Sequence, residues 1–218
     1  MDLNIFMKAL IIDTSLEISY IILVEDSEII FLKKIKTNLS KNLFTDLQNI
    51  LNETNTTLPS LSYIASSIGP GSFTSLRVGA NISKTFSYAK RIPLISYISM
   101  HAYSPNKDTK FLVAFDAKSE GLYLVEAEKS KNSIKYLSKP SLFSLNEASE
   151  LIDKYEIVIS PHANIIKNKF ETYKDKFEYQ EIDPLRLISF TNQKYREKKF
   201  EDYSSFDLLY LRGPKIVE

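Results

Sequence analysis

Glycine supply constrains this chain more than any other feature. Only five occur in 218 residues, at Gly69, Gly71, Gly79, Gly121 and Gly213, and the first three crowd into the stretch from Gly69 to Gly79. A backbone loop that wraps a phosphate needs several glycines, because only a residue without Cβ lets N–H groups close around an anion. The chain has room for one such loop at most, which argues against most nucleotide-hydrolysing architectures. Its length is no obstacle to a core: a chain this size buries roughly 70–75% of its unfolded surface, as one large domain or two small lobes.

With 44% hydrophobic and 25% charged residues, the composition is that of a globular protein. The absence of cysteine removes disulfides, thiol catalysis and thiolate metal sites together. His101 and His162 are too far apart for an HExxH or HxxxH helix, so no metal site is expected. Lys and Arg total 28 against 27 Asp and Glu, a net charge of +1, where a protein gripping nucleic acid by itself carries a larger basic excess. Met1–Lys8 is too short an apolar stretch for a signal peptide, and no run reaches the ~18 residues of a membrane helix. The expected location is the cytoplasm, without membrane contact.

Lys8–Asp13, Ile18–Val24 and Ile29–Ile35 are β-rich runs separated by short polar turns, a meander of three strands. A helix follows over 40–53, with Ser40 as its cap and Leu43, Leu47, Ile50 and Leu51 on one face. Tyr63–Ile68 is a strand running into Gly69-Pro70-Gly71-Ser72-Phe73-Thr74-Ser75, then a helix over 74–90 and a strand over 92–98. The order β-β-β-α-β-α-β places the last strands parallel to the first through helical crossovers. Pro, Asn and Asp cluster at 103–110, which predicts a lobe boundary there: 7–105, then 106–218. Beyond it, 111–115, 122–126 and 133–137 read as strands, 145–155 as a helix with a Ser144–Glu147 capping box, and 157–160 as a short strand. The charged, aromatic stretch 167–205 suits amphipathic helices, one opened by Pro184, and 208–212 is a last apolar segment.

Strand, glycine turn, then helix is the geometry of an anion-binding loop, with Ser72, Thr74 and Ser75 as capping hydroxyls. It is neither a Walker A loop, which needs GxxxxGK[ST], nor GxGxxG, since Thr74 stands at the third glycine. A capped turn with nothing bound fits it equally well. In the next helix Gly79, Ser83 and Ser87 recur every four residues, with Ala80 beside them, a stripe that admits close approach. Either a partner chain or this chain's own 40–53 helix could use it. Asp13 ends the first strand, followed by Thr14 and Ser15, where an actin/hexokinase-like ATPase keeps its first phosphate loop, but without glycine. Asp116 ends the strand opening the second half in the same way and reads as a turn cap; His101 reads as structural.

GPGSFTSLRVG at Gly69–Gly79 resembles the GPGSFTGLRxG signature of the TsaB (YeaZ) family, in the glycoprotease-like branch of the actin/hexokinase superfamily. ALIIDTS at Ala9–Ser15, FDAKSEGLY at Phe115–Tyr123 against the family's DAR-x-x-E-V-Y, and YLR at Tyr210–Arg212 extend the resemblance. Three positions depart from it: Ser75 replaces a glycine, Lys118 an arginine, and Glu120 and Gly121 are shifted. The resemblance implies a two-lobed α/β, ribonuclease H-like fold with a degenerate nucleotide site and no catalytic residues. It implies a scaffold for TsaD, acting with the ATPase TsaE, in placing threonylcarbamoyl on N6 of the adenosine beside the anticodon of tRNAs reading ANN codons. TsaD would dock on the two N-terminal helices through Leu43, Leu47, Leu76, Gly79, Ala80, Ser83 and Ser87, next to the signature residues Gly69, Pro70, Gly71, Ser72, Phe73, Thr74 and Arg77. A homodimer is expected without TsaD, tRNA is held through the complex, and ATP or ADP sits at the TsaD junction rather than on the isolated chain. The competing reading is a free-standing nucleotide-dependent enzyme using Asp13 and the Gly69–Ser75 loop.

Overall fold

The computed structural model describes residues 7–36, 39–118, 121–131 and 133–211, less the side chains of 39–41. The chain folds as β1 (Lys8–Asp13), β2 (Ser19–Glu25), β3 (Glu28–Ile35), α1 (Leu39–Glu53), β4 (Tyr63–Ser67), α2 (Phe73–Lys90) and β5 (Leu94–Tyr97). It continues as β6 (Thr109–Asp116), β7 (Leu122–Ser130), β8 (Ser133–Tyr136), β9 (Ser141–Phe143), α3 (Leu145–Asp153), β10 (Val158–Ser160), α4 (Ala163–Ile166), β11 (Phe177–Tyr179) and α5 (Pro184–Arg196). The Ser40 cap, Glu120 and Arg212 of the sequence reading lie outside the described side chains. No helix among the described residues is long and apolar enough to cross a membrane.

Two compact units result, each an α/β unit built on its own sheet. The first runs to Ser99 and takes back Pro184–Leu209; the second is Met100–Asp183 with the chain from Tyr210. A division at 105/106 assigns α5 to the second unit, whereas its apolar face belongs to the first unit's sheet.

In the first unit the sheet order is β3-β2-β1-β4-β5. β2 is antiparallel to β1 and β3, while β4 and β5 are parallel to β1, as the crossovers through α1 and α2 require. Strand residues alternate between faces. Leu10, Ile12, Ile21, Leu23, Ile64 and Leu94 meet Leu43, Leu47, Ile50 and Ala80 of the helices. Tyr63 points to the other face, where its ring stacks on Tyr195 of α5, centroids 5.2 Å apart. Its hydroxyl donates to Asn192 Oδ1 at 2.7 Å and lies 2.8 Å from Thr191 Oγ1, while Asn192 Nδ2 donates to Asp26 O. Burial pushes that phenol up to about 12, so it stays a neutral donor. Tyr63→Phe strands a buried acceptor on α5; we expect a loss of about 1–3 kcal/mol, read as a lower urea midpoint at unchanged slope. A wild-type midpoint would show that α5 is held by packing alone.

The second unit carries a six-stranded sheet, β11-β10-β6-β7-β8 with β9 on β7. β7 is antiparallel to β6, while β10 pairs with β6 in parallel and β11 with β10 in parallel. Leu112, Ala114, Leu122 and Leu124 pack under Ala148 and Ile152 of α3. The Ser144–Glu147 capping box is present in both directions.

Candidate functional site

The carboxyl ends of β1, β4 and β5 meet in the first unit, the edge where parallel α/β sheets place ligands. Between β4 and α2 the chain turns through Gly69, at φ +104°, with Pro70 buried beside it. Backbone bonds hold both sides of the turn: Ile68 N donates to Tyr97 O, Ser99 N to Gly69 O, and Leu209 N to Ile68 O, each within 2.8–2.9 Å. Ser72 is the N-cap of α2, but its hydroxyl goes to Ser75 Oγ at 3.1 Å instead of capping the helix. Ser75 lies inside α2, so a left-handed backbone is not needed where the family has glycine. Phe73 and Thr74 face solvent, and the Arg77 guanidinium lies over the Phe73 ring at 3.8 Å.

The first loop has closed onto this turn. Ser72 N donates to Ser15 O at 2.7 Å, so the first free N–H of α2 is taken by the chain itself. A Cβ on Gly71 would lie 2.1 Å from Ser15 O, and one on Gly79 would lie 2.3 Å from Thr14 Oγ1. These glycines let α2 press against Thr14 and Ser15 and do not open a cradle for an anion.

Asp13 sits fully buried at the centre. Oδ1 accepts from Ser15 N at 2.9 Å and Ser15 Oγ at 2.6 Å, and Oδ2 accepts from Tyr97 OH at 3.0 Å. Burial pushes its carboxyl above the ordinary carboxylate range, against the opposite pull of those bonds. The folded chain therefore binds a proton where the unfolded chain does not. Stability from this group is full below the unfolded pKa and is lost as pH rises through the raised folded one. Asp13→Asn removes that dependence while keeping an acceptor for Ser15. Its thermal midpoint should vary less than the wild type's between about pH 4 and pH 7, and at neutral pH should equal or exceed it. A variant with unchanged pH dependence would assign the dependence to other groups.

All seven residues expected to face a partner turn inward. Leu43, Leu47, Leu76 and Ala80 lie in the core, Gly79 on Thr14, and Ser83 and Ser87 are buried with hydroxyls on Gly79 O and Ile92 O. The small-residue stripe is how α2 approaches its own sheet and first loop. A second row lies beside it. Val78, Ile82 and Phe86, at four-residue spacing on α2, are half buried and pack against the rim of the same core. Phe44 of α1 is half exposed and meets Phe86, centroids 6.2 Å apart. The helical period that picked out the stripe contains this row too, one residue earlier.

In the second unit Asp116 is a turn cap and ion-pair partner: Oδ1 accepts from Lys118 N at 3.1 Å and Lys169 Nζ at 2.7 Å. Its own N–H donates to His162 Nδ1 at 3.1 Å. His101 stacks on Tyr136 with centroids 3.6 Å apart. Among the described residues no three His, Asp or Glu side chains converge as metal ligands do.

The family model for TsaD, described as tRNA N6-adenosine threonylcarbamoyltransferase, matches residues 33–194. The tRNA threonylcarbamoyladenosine biosynthesis protein TsaB of Buchnera aphidicola subsp. Acyrthosiphon pisum (strain APS) is 26% identical over 194 residues, 82% of this chain and 86% of that protein. The TsaB of Escherichia coli (strain K12) is 27% identical over 158 residues, 70% of this chain and 64% of that one. Among solved structures, YeaZ from Pseudomonas aeruginosa superposes with a TM-score of 0.75 at 13% identity, covering 94% of this chain and 100% of the other.

Proposed function

The chain belongs to the family that the TsaD model describes, as a TsaB (YeaZ) member, and from that premise we propose that it is a non-catalytic subunit in tRNA threonylcarbamoyladenosine biosynthesis. It binds and activates TsaD, works with TsaE in the cytoplasm, and meets tRNA only through that assembly. The observation that carries the non-catalytic reading is the closed first loop. With Ser72 N–H on Ser15 O and Gly71 pressed against Ser15, the edge where kinases of this superfamily hold phosphate is filled by the chain's own backbone. ATP or ADP then belongs at the TsaD junction and not on the isolated chain. The docking surface is the exposed Phe44 of α1 with the half-buried edge of Val78, Ile82 and Phe86 beside it on α2, which also pairs two copies when TsaD is absent.

The test combines calorimetry with reconstitution. Titration of ATP into the isolated chain should show no binding at micromolar concentrations. Modified adenosine should form on tRNA when the chain is added to TsaD, TsaE and threonylcarbamoyl-AMP, and not when TsaD is omitted. Micromolar ATP binding with turnover by the isolated chain would instead establish a free-standing nucleotide-dependent enzyme working through Asp13 and the Gly69–Ser75 loop.

A further inference from the structure

Asp13 is a buried carboxylate that no docking contact and no phosphate site explains. Its bonds come from the Ser15, Tyr97 and Ser67 hydroxyls and the Ser15 backbone N–H, and they converge from separate elements. Tyr97 brings β5, and the same residue's carbonyl accepts Ile68 N just before the glycine turn. Ser15 brings the loop after β1, and its carbonyl in turn accepts Ser72 N, the cap of α2. A chain of hydrogen bonds therefore runs from the Asp13 carboxylate through Ser15 to Ser72, the N-cap of α2, with Tyr97 bracing the other oxygen.

We propose that Asp13 is a positioning residue for docking: through Ser15 it fixes where α2 begins, and so the register of the Val78, Ile82 and Phe86 row offered to the partner. A buried carboxylate is a costly way to fill space, because an apolar side chain of the same size incurs no desolvation. What an apolar residue cannot supply is an acceptor for both Ser15 donors at once. Without it, the Ser15 N–H and hydroxyl are stranded in the interior, and the loop must turn to find other partners. Turning moves Ser15 O away from Ser72. The other titratable group bonded to the carboxylate is Tyr97, whose hydroxyl also lies 3.3 Å from Ile12 O and so has a second acceptor.

This inference rests on the docking role given to α2, and its test separates the two. Amide exchange and TsaD affinity are measured on the wild-type chain, on Asp13→Asn, which keeps an acceptor oxygen, and on Asp13→Val, which keeps volume without one. In the wild type the Ser72 amide should be protected alongside the β1 amides. Asp13→Asn should keep that protection and bind TsaD within about threefold of wild type, whereas Asp13→Val should exchange at Ser72 and bind TsaD at least about tenfold worse, with β6–β7 exchange unchanged. Recovery by asparagine is what a purely space-filling role does not produce. Wild-type protection and affinity in Asp13→Val, or equal losses in both variants, overturns the proposal. If Asp13→Val does not fold, wild type and Asp13→Asn decide: an unprotected Ser72 amide in the wild type, or its loss in Asp13→Asn, is fatal. Should the wild-type chain not bind TsaD at all, the docking role falls, while the exchange data still decide whether Asp13 holds α2.

Discussion

Gly71→Ala is expected to lower the thermal midpoint of this chain by roughly 10 °C, the largest effect of adding a single methyl group near the signature loop. The new Cβ would stand 2.1 Å from Ser15 O, 2.8 Å from Ser15 C and 3.0 Å from its Cα, all backbone atoms. A side-chain tip can swing aside, but a backbone carbonyl that already accepts Ser72 N cannot move without giving up that bond. Overpacking costs about 1–3 kcal/mol and a stranded buried donor a similar amount. At about 2–4 °C per kcal/mol for a chain this long, these add to the drop stated. Gly79→Ala is the comparison, since its Cβ meets the Thr14 side chain rather than backbone, and its loss should be smaller. Equal midpoints for Gly71→Ala and wild type in scanning calorimetry would mean that the first loop stands open in solution.

The second large effect concerns association. Phe44→Glu should weaken binding to TsaD by about 100-fold while shifting the midpoint by no more than about 3 °C. Phe44 is 51% exposed, so its removal costs the isolated fold little, yet its ring extends the apolar row through Phe86. A charge placed there must be desolvated in any complex that covers the row. Tyr88→Ala, a residue 71% exposed whose ring abuts Tyr203, should alter affinity far less. Should Tyr88→Ala abolish co-elution with TsaD while Phe44→Glu preserves it, the contact lies on the other edge of α2.

Much of this fold is legible in the sequence, for identifiable reasons. Lys8–Asp13 is a compact apolar run ended by a carboxylate, and the structure has β1 with those limits. Leu43, Leu47 and Ile50 keep helical spacing over about two turns and are core residues of α1. Ser144 and Glu147 announce the start of α3, and Pro184 opens α5. β9, β11 and α4, of three or four residues each, are too short for any period to show, and they form because β7, β10 and the packed aromatic side chains offer them partners. The site was half legible. The loop between β4 and α2 can be placed from Gly69, Gly71 and the strand before it. Which face of α2 turns inward cannot, because Gly79-Ser83-Ser87 and Val78-Ile82-Phe86 are neighbouring rows of equal period. Small residues suit a partner helix and large apolar ones suit a core. Both rows pack inward, and the small one lies deepest because what presses on Gly79 is Thr14, from a loop 65 positions earlier in the chain.

The split composition of the first unit has a consequence during synthesis. β1 to β5 leave the ribosome long before α5, so the sheet face bearing Ala9, Ile11 and Tyr63 has no cover until Arg196 has been added. At about 5–20 residues per second, the stretch between Ser99 and Arg196 takes roughly 5–20 s to make. Throughout that interval the nascent chain displays a bare apolar sheet, while α1 and α2 can already close the opposite face. The helices of the opposite face are thus finished first, and the helix that seals the second face arrives well after them.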